Sequence, residues 1–260
     1  MGERVLLEKQ GSIAQIYFNE PDKLNALSSK LKEELLPILN EIEFDPNIKV
    51  VILAGRGKAF CAGGDLKGMA SMEYNAAVIK RNMDLSSTII ERIRKMPKIV
   101  IAAVHGYCAG AGLSLALSSD MIVAESGTKL ILSFKNVGLA PDLGIHYHLP
   151  RIVGEQKAKE WIWQGMKITV EDAVKEGFTI TVAPKDNLMK EAMKLAKTFA
   201  EGPFQAFIYS KQLINHSTHL TVADVLAKEN DIHTILRTTF DHKEGVNAFF
   251  EKRSANFKGE

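Results

Sequence analysis

Cysteine is scarce in this chain of 260 residues, with Cys61 and Cys108 its only two. Two thiols cannot form a disulfide framework, so a small bridge-stapled scaffold is excluded. No run approaches the roughly 18–20 consecutive apolar residues of a membrane span. The opening Met1-Gly-Glu-Arg-Val-Leu-Leu lacks the apolar stretch of a secretory signal, and its sixth position lacks the Ser/Thr of a myristoylation motif. A charge excess is missing too. The 33 basic and 31 acidic side chains leave a net charge of +2, whereas an obligate nucleic-acid or membrane-surface binder shows a basic excess. A local basic pocket for a phosphorylated ligand is still compatible with that balance. His216 and His219 have helical i, i+3 spacing, but no Cys or acidic ligand pattern accompanies them, so no metal site is expected. These absences lead to the expectation of a reduced, cytoplasmic protein without a nucleic-acid or membrane partner.

What is present is apolar content, 46% of residues, enough for one sizeable core. Residues 4–8 and 12–18 read as a hairpin turning at Gln10-Gly11. Pro21 starts a loop, and Ser28 or Ser29 caps a helix running to about Phe44. Lys49–Ala54 and Ile99–Val104 are continuous apolar runs of buried-strand length, separated by a helix over about Glu73–Lys95. Met121–Ala124 is a third apolar strand. From Leu149 onward the pattern is mostly helical, with Thr169…Asp172 and Thr221…Asp224 spaced as capping boxes. Strand–helix alternation to about residue 130 predicts a parallel-type α/β core, and the helical stretch over 186–258 reads as an appendage.

Two of these strands end in glycine-rich loops. Gly55-Arg-Gly-Lys-Ala-Phe-Cys-Ala-Gly-Gly-Asp65 is not a P-loop, because Ala59 follows Lys58 and Ile52 stands where the leading glycine belongs. His105-Gly-Tyr-Cys-Ala-Gly-Ala-Gly112 is not a dinucleotide fingerprint, because its glycines fall at 106, 110 and 112. Such loops can present unpaired backbone N–H groups. A helix opening at Ala111 leaves its first donors unsatisfied, and small residues at Gly64 and Ala111 admit a ligand close to the backbone. Two donors aimed at one oxygen make an oxyanion hole. The simpler alternative is that these glycines serve turns and close packing alone.

The segments Phe60-Cys-Ala-Gly-Gly-Asp-Leu66 and Ala102-Ala-Val-His-Gly-Tyr-Cys-Ala-Gly-Ala-Gly112 resemble the two signature segments of the enoyl-CoA hydratase/isomerase (crotonase) superfamily. Asn19–Leu27, Val137–Asp142 and Glu244–Phe257 match further family segments, in order and spanning nearly the whole chain. The resemblance implies an α/β fold, with a crotonase-type ββα superhelical core over residues 1–195. A C-terminal α-helical region over 196–260 would cover the active site and form a trimer or dimer-of-trimers interface. It implies a coenzyme A thioester as substrate and no prosthetic group. The thioester carbonyl would lie between the amides of Gly64 and Ala111, the latter a mild departure from a commonly glycine position. Ala62, Asp65 and Leu66 would line the adenine and pantetheine path. Lys23 and Lys67 would approach the coenzyme's phosphates, unless they are plain surface charges. Phe250, Lys252 and Phe257 would meet the coenzyme or a neighbouring subunit, or pack within the chain.

The carboxylates discriminate among reactions. Family hydratases use two glutamates to activate water, and the corresponding positions here are Ser114 and Phe134. Asp142 remains, in a Pro-Asp segment that resembles the branch of ring-modifying and double-bond isomerases. One carboxylate suffices to remove a proton at one carbon and return it at another. The alternative is that Asp142 caps the helix after Pro141. His146 and His148 lie nearby, as proton carriers or as solvent or interface residues. The expected function is thus enoyl-CoA isomerisation, with enoyl-CoA hydration and non-catalytic acyl-CoA binding as alternatives.

Overall fold

The computed structural model describes residues 2–71 and 75–260. Its first elements are the hairpin β1 (Val5–Gln10) and β2 (Ile13–Phe18), joined through Gly11 at φ +57°. Helix α1 (Ser29–Phe44) follows, its first turn capped by the Ser28 hydroxyl, which accepts from the Leu31 N–H. Strand β3 (Val50–Gly55) leads through the first glycine-rich loop to a short α2 (Leu66–Ser71). Helix α3 (Ala76–Lys95) is capped by Asn75. The expected start at Glu73 lies outside the described residues. Strand β4 (Ile99–Val104), a short β5 (Tyr107–Ala109) and helix α4 (Ala111–Ser118) come next. Then follow β6 (Met121–Glu125), β7 (Lys129–Ile131), α5 (Ile145–Val153), α6 (Glu155–Gln164), β8 (Lys167–Thr169), α7 (Val170–Lys175) and β9 (Ile180–Ala183). Helices α8 (Leu188–Ala200), α9 (Phe204–Ser217), α10 (Val222–Leu236) and α11 (Phe240–Glu251) complete the chain.

The described residues form a six-stranded sheet in the order β1-β2-β3-β4-β6-β9, parallel except for the β1–β2 hairpin, and a separate three-stranded sheet in the order β5-β7-β8. The parallel core predicted from strand–helix alternation is present. Both apolar runs sit in its centre, and their alternate residues divide between two cores. Val51, Leu53, Val100 and Ala102 face a cluster with Leu31, Leu35, Ile89 and Ile93 of α1 and α3. Val50, Ile52, Ile99 and Ile101 face Leu188, Ala192, Ala196 and Ala200 of α8. Burial on both faces is why these strands carry no polar alternation, and each such side chain contributes about 1.5–3 kcal/mol by leaving water.

Two expectations change. The turn and helical stretches contain strands β5, β7, β8 and β9, each of three or four residues. The stretch from 186 begins with α8, whose small residues at i, i+4 spacing close the second face of the sheet, and the boundary expected at 195/196 falls inside it. Thr221 and Asp224 form the full capping box. At α7, Thr169 caps through its hydroxyl.

Helix α9 is tied to the sheet by a buried ion pair. Lys211 Nζ donates to Asp120 Oδ2 at 2.8 Å and to the Lys98 carbonyl at 2.7 Å, while Asp120 Oδ2 also accepts the Val100 N–H at 2.7 Å. Burial pushes the lysine down and the aspartate up from their ordinary values. Removing one member of such a pair strands the other charge. Lys211→Ala is expected to lower the unfolding free energy by about 3–5 kcal/mol, read from urea denaturation at neutral pH.

Candidate active site

The two glycine-rich loops meet as a short parallel pair. The Phe60 N–H donates to the His105 carbonyl at 2.9 Å, Cys61 N–H to Tyr107 at 3.2 Å, and Ala109 N–H to Cys61 at 3.0 Å. Glycines allow this approach. A Cβ on Gly112 would lie 2.8 Å from Cys61 Cβ and press on the Cys61 carbonyl, and one on Gly63, at φ +98°, would lie 2.9 Å from the Ala109 carbonyl oxygen. Gly110, at φ +48° and ψ −120°, turns the chain into α4 in a region that favours glycine.

Gly64 and Ala111 lie three and two residues beyond this contact. Among the described residues, neither backbone N–H has a protein acceptor. Ala111 opens α4, whose eight residues are all buried, so its N–H carries the positive end of a helix shielded from water. Two N–H groups on adjoining loops, without an acceptor among the described residues, have the chemistry an oxyanion hole needs.

Leu24 and Asn25 brace the first loop, both at positive φ despite being non-glycine. The Ala62 N–H donates to the Leu24 carbonyl at 2.9 Å. The fully buried Asn25 donates through Nδ2 to the Arg56 and Ala59 carbonyls, and its Oδ1 accepts the Glu20 N–H. The sequence singled out the Asn19–Leu27 segment but not this function of Asn25. Only the repeated pairing of its amide with loop carbonyls reveals it.

Asp142 sits at a second strained bend, followed by Leu143 at φ +52° and Gly144 at φ +93°. Its carboxylate does not cap α5. The N-cap is Gly144, and the Ile145 N–H turns to the Asp142 backbone carbonyl. The side-chain Oδ1 is buried and has no hydrogen-bond partner among the described residues. Burial raises this carboxyl above its ordinary value, opposed in part by its own N–H and by the Lys32 ammonium. An orphaned, desolvated carboxylate oxygen is costly to structure and suited to a base. Ser114 positions it. The fully buried Ser114 hydroxyl lies 3.1 Å from the Asp142 carbonyl and 3.3 Å from that of Gly110, and so joins the Asp142 loop to the oxyanion loop. The Phe134 ring lies against Gly110.

The remaining candidates divide. Ala62 lies within the braced loop, and Asp65 Oδ1 accepts the Gly68 N–H at the start of α2. Leu66 and Lys67 are exposed beside it, and Lys23 is exposed and paired with Glu20. His146 is exposed. His148 turns to Arg94 Nη1 at 3.0 Å, with Ser118 Oγ at 3.5 Å. Phe250 lines a groove with Leu236, Val246 and Phe249 among the last helices, and Lys252 ends α11 in a left-handed conformation. Neither this groove nor a second cleft, between α9–α10 and the Arg94 and His148 side chains, is lined by Gly64, Ala111 or Asp142. No group of three His, Cys, Asp or Glu side chains among the described residues could hold a metal ion.

The family model described as enoyl-CoA hydratase/isomerase matches residues 8–260. The chain is 31% identical to the 1,2-epoxyphenylacetyl-CoA isomerase of Escherichia coli, across 100% of both chains. It is 33% identical to the short-chain-enoyl-CoA hydratase of Clostridium acetobutylicum, over 96% of this chain and 95% of that one. The crystal structure of an enoyl-CoA hydratase from Bacillus anthracis superposes with a TM-score of 0.92 at 32% identity, covering 99% of this chain and 100% of that one.

His148 gives the site region a pH dependence. Arg94 cannot accept, so Nε2 does and the imidazole is neutral. Burial, with Arg94 and Arg151 nearby, lowers His148 from 6.5 to about 4. Between those values the unfolded chain binds a proton that the folded chain does not, so stability falls as pH falls. Urea unfolding at pH 7 and pH 5 is expected to show this decline, and His148→Gln to lessen it.

Proposed function

The chain belongs to the enoyl-CoA hydratase/isomerase family and is an enzyme of it; from that premise we propose that it moves a double bond within an enoyl-CoA or ring-enoyl-CoA thioester. The Asp142 carboxylate removes a proton from the carbon next to the thioester carbonyl of a 3-enoyl-CoA. The electron pair moves into a dienolate whose oxygen is held by the Gly64 and Ala111 N–H groups. Asp142 then returns the proton at the far end of the conjugated system. Atoms and charge balance without water, and the carboxylate is regenerated.

The observation that carries this reading is the buried Asp142 Oδ1 without a partner. Ser114 and Phe134 support it. A hydroxyl already directed at backbone carbonyls and a phenyl ring cannot together activate a water molecule. Ala62, Asp65, Leu66, Lys23 and Lys67 flank the first loop, and we assign that side to the coenzyme. Phe250 and Lys252 would complete a neighbouring copy's site in a trimer or dimer of trimers. Exposed Phe249 and Phe250 side chains favour that assignment. Hydration is the second reading, because the relatives include hydratases.

Purified protein is expected to convert 3-enoyl-CoA thioesters to 2-enoyl-CoA thioesters, followed by absorbance and mass. Asp142→Asn is expected to lower kcat about 10²–10⁴-fold while coenzyme A thioester binding persists. Rapid conversion of crotonyl-CoA to 3-hydroxybutyryl-CoA, with 3-enoyl-CoA unchanged, would establish hydration instead. Light scattering is expected to give the mass of three or six chains.

A further inference from the structure

Helix α1 carries a lysine that nothing in the mechanism above uses. Lys32 is 4% exposed, rare for a lysine unless paired. Its Nζ donates to the Asn82 side-chain and backbone oxygens and to Ser86 Oγ, all neutral acceptors on α3. No carboxylate in the described residues forms an ion pair with it. Asp142 presents the complementary defect, a buried carboxylate oxygen without a partner among the described residues.

Helix α3 runs past the surroundings of both. Asn82, Ser86, Ile90 and Arg94 recur every fourth residue along one face of α3. Arg94 holds His148, and Ile90 and Arg94 share a cleft with Gly144 and His148, so this face follows the Asp142–His148 segment. On α4, Ser114 and Ser118 follow the same segment one turn apart, reaching the Asp142 carbonyl and His148. Other charges in the neighbourhood are directed elsewhere. Arg94 bonds to His148 and Asn215, Lys135 packs against Gly165, and His146 is exposed. Glu33, the next residue of α1, is exposed and has a weaker influence on Lys32 than Asp142. Among the described residues, the Lys32 ammonium opposes the effect of burial on the Asp142 carboxyl, and Asp142 acts on Lys32 ahead of Glu33.

We propose that Lys32, held by Asn82 and Ser86, is a positioning residue for the proton shuttle: the buried counter-charge that keeps the Asp142 carboxylate ionised in its apolar slot. The inference rests on Asp142 being the acid/base. Without a cation, a desolvated carboxyl rests protonated and cannot take the first proton. With a cation in direct contact, it would be too weak a base. A lysine fixed on neutral acceptors, acting across space, gives an intermediate basicity.

The experiment titrates the carboxyl directly. Protein carrying ¹³C-carboxyl aspartate is followed by NMR from pH 3 to 8, with the Asp142 signal assigned by its loss in Asp142→Asn. Lys32→Met, similar in volume, is expected to raise the Asp142 midpoint by about one pH unit, and Lys32→Arg to leave it near the wild-type value. Asn82→Asp keeps the lysine but gives it a contacting carboxylate. It is expected to raise the midpoint as Lys32→Met does, and decides the matter if the methionine variant does not fold. The acid limb of kcat/KM is expected to move by the same amount. An Asp142 midpoint unchanged in Lys32→Met, or in Asn82→Asp where that variant decides, would overturn the proposal. A shifted midpoint in a protein that isomerises no enoyl-CoA would leave the pairing standing and remove the isomerase reading instead.

Discussion

The structure depends on a few backbone hydrogen bonds between Phe60–Cys61 and His105–Ala109. They join the ends of two parallel strands at a separation that Gly63, Gly106 and Gly112 permit and side chains would not. Just beyond this pairing the Ala62 and Gly110 N–H groups find carbonyl partners, and those of Gly64 and Ala111 have no acceptor among the described residues. An unmade hydrogen bond in a water-poor site costs about 1–3 kcal/mol. The surrounding sheet and the buried helix α4 supply the stability to keep both open. A carbonyl oxygen gaining negative charge satisfies both at once.

The same economy recurs at Asp142. Its bend contains two consecutive residues at positive φ, its carboxylate is released from capping, and one oxygen is buried without a donor. Ser114 links the backbone of that bend to the carbonyl of Gly110, and so joins the Asp142 loop to the Gly110–Ala111 loop. Strain and unsatisfied groups cluster where chemistry is expected. In the proposed reading the scaffold presents a thioester to these donors, and the side chains at 114, 134 and 142 select the reaction.

Much of this was legible in the residues. The runs at 50–54 and 99–104 are buried on both sheet faces, so composition alone identifies them as central strands. Ile52 and Ala59 excluded a P-loop, the glycine spacing at 106–112 excluded a dinucleotide fingerprint, and close backbone approach was left. Strands of three or four residues, such as β5 and β8, are too short to establish a period, and the sequence read them as turn or helix. Helix α8 reads as a surface helix until its alanines are seen against the sheet. Ser114 reads as a missing acid, whereas its use is to hold a carbonyl 28 residues away. Nothing local separates buried Lys32 from exposed Lys30 two residues earlier. That difference lies in what α3 places opposite each.

The central claim is that the two amides stabilise an enolate and that Asp142 moves its proton. Solvent exchange at the carbon next to the thioester carbonyl tests this independently of any product. A saturated acyl-CoA that cannot isomerise is incubated with the enzyme in deuterium oxide and followed by mass spectrometry and proton NMR. Deuterium is expected to enter that carbon with the wild-type enzyme and not with Asp142→Asn. No exchange with the wild type, or exchange undiminished by the substitution, would contradict the account.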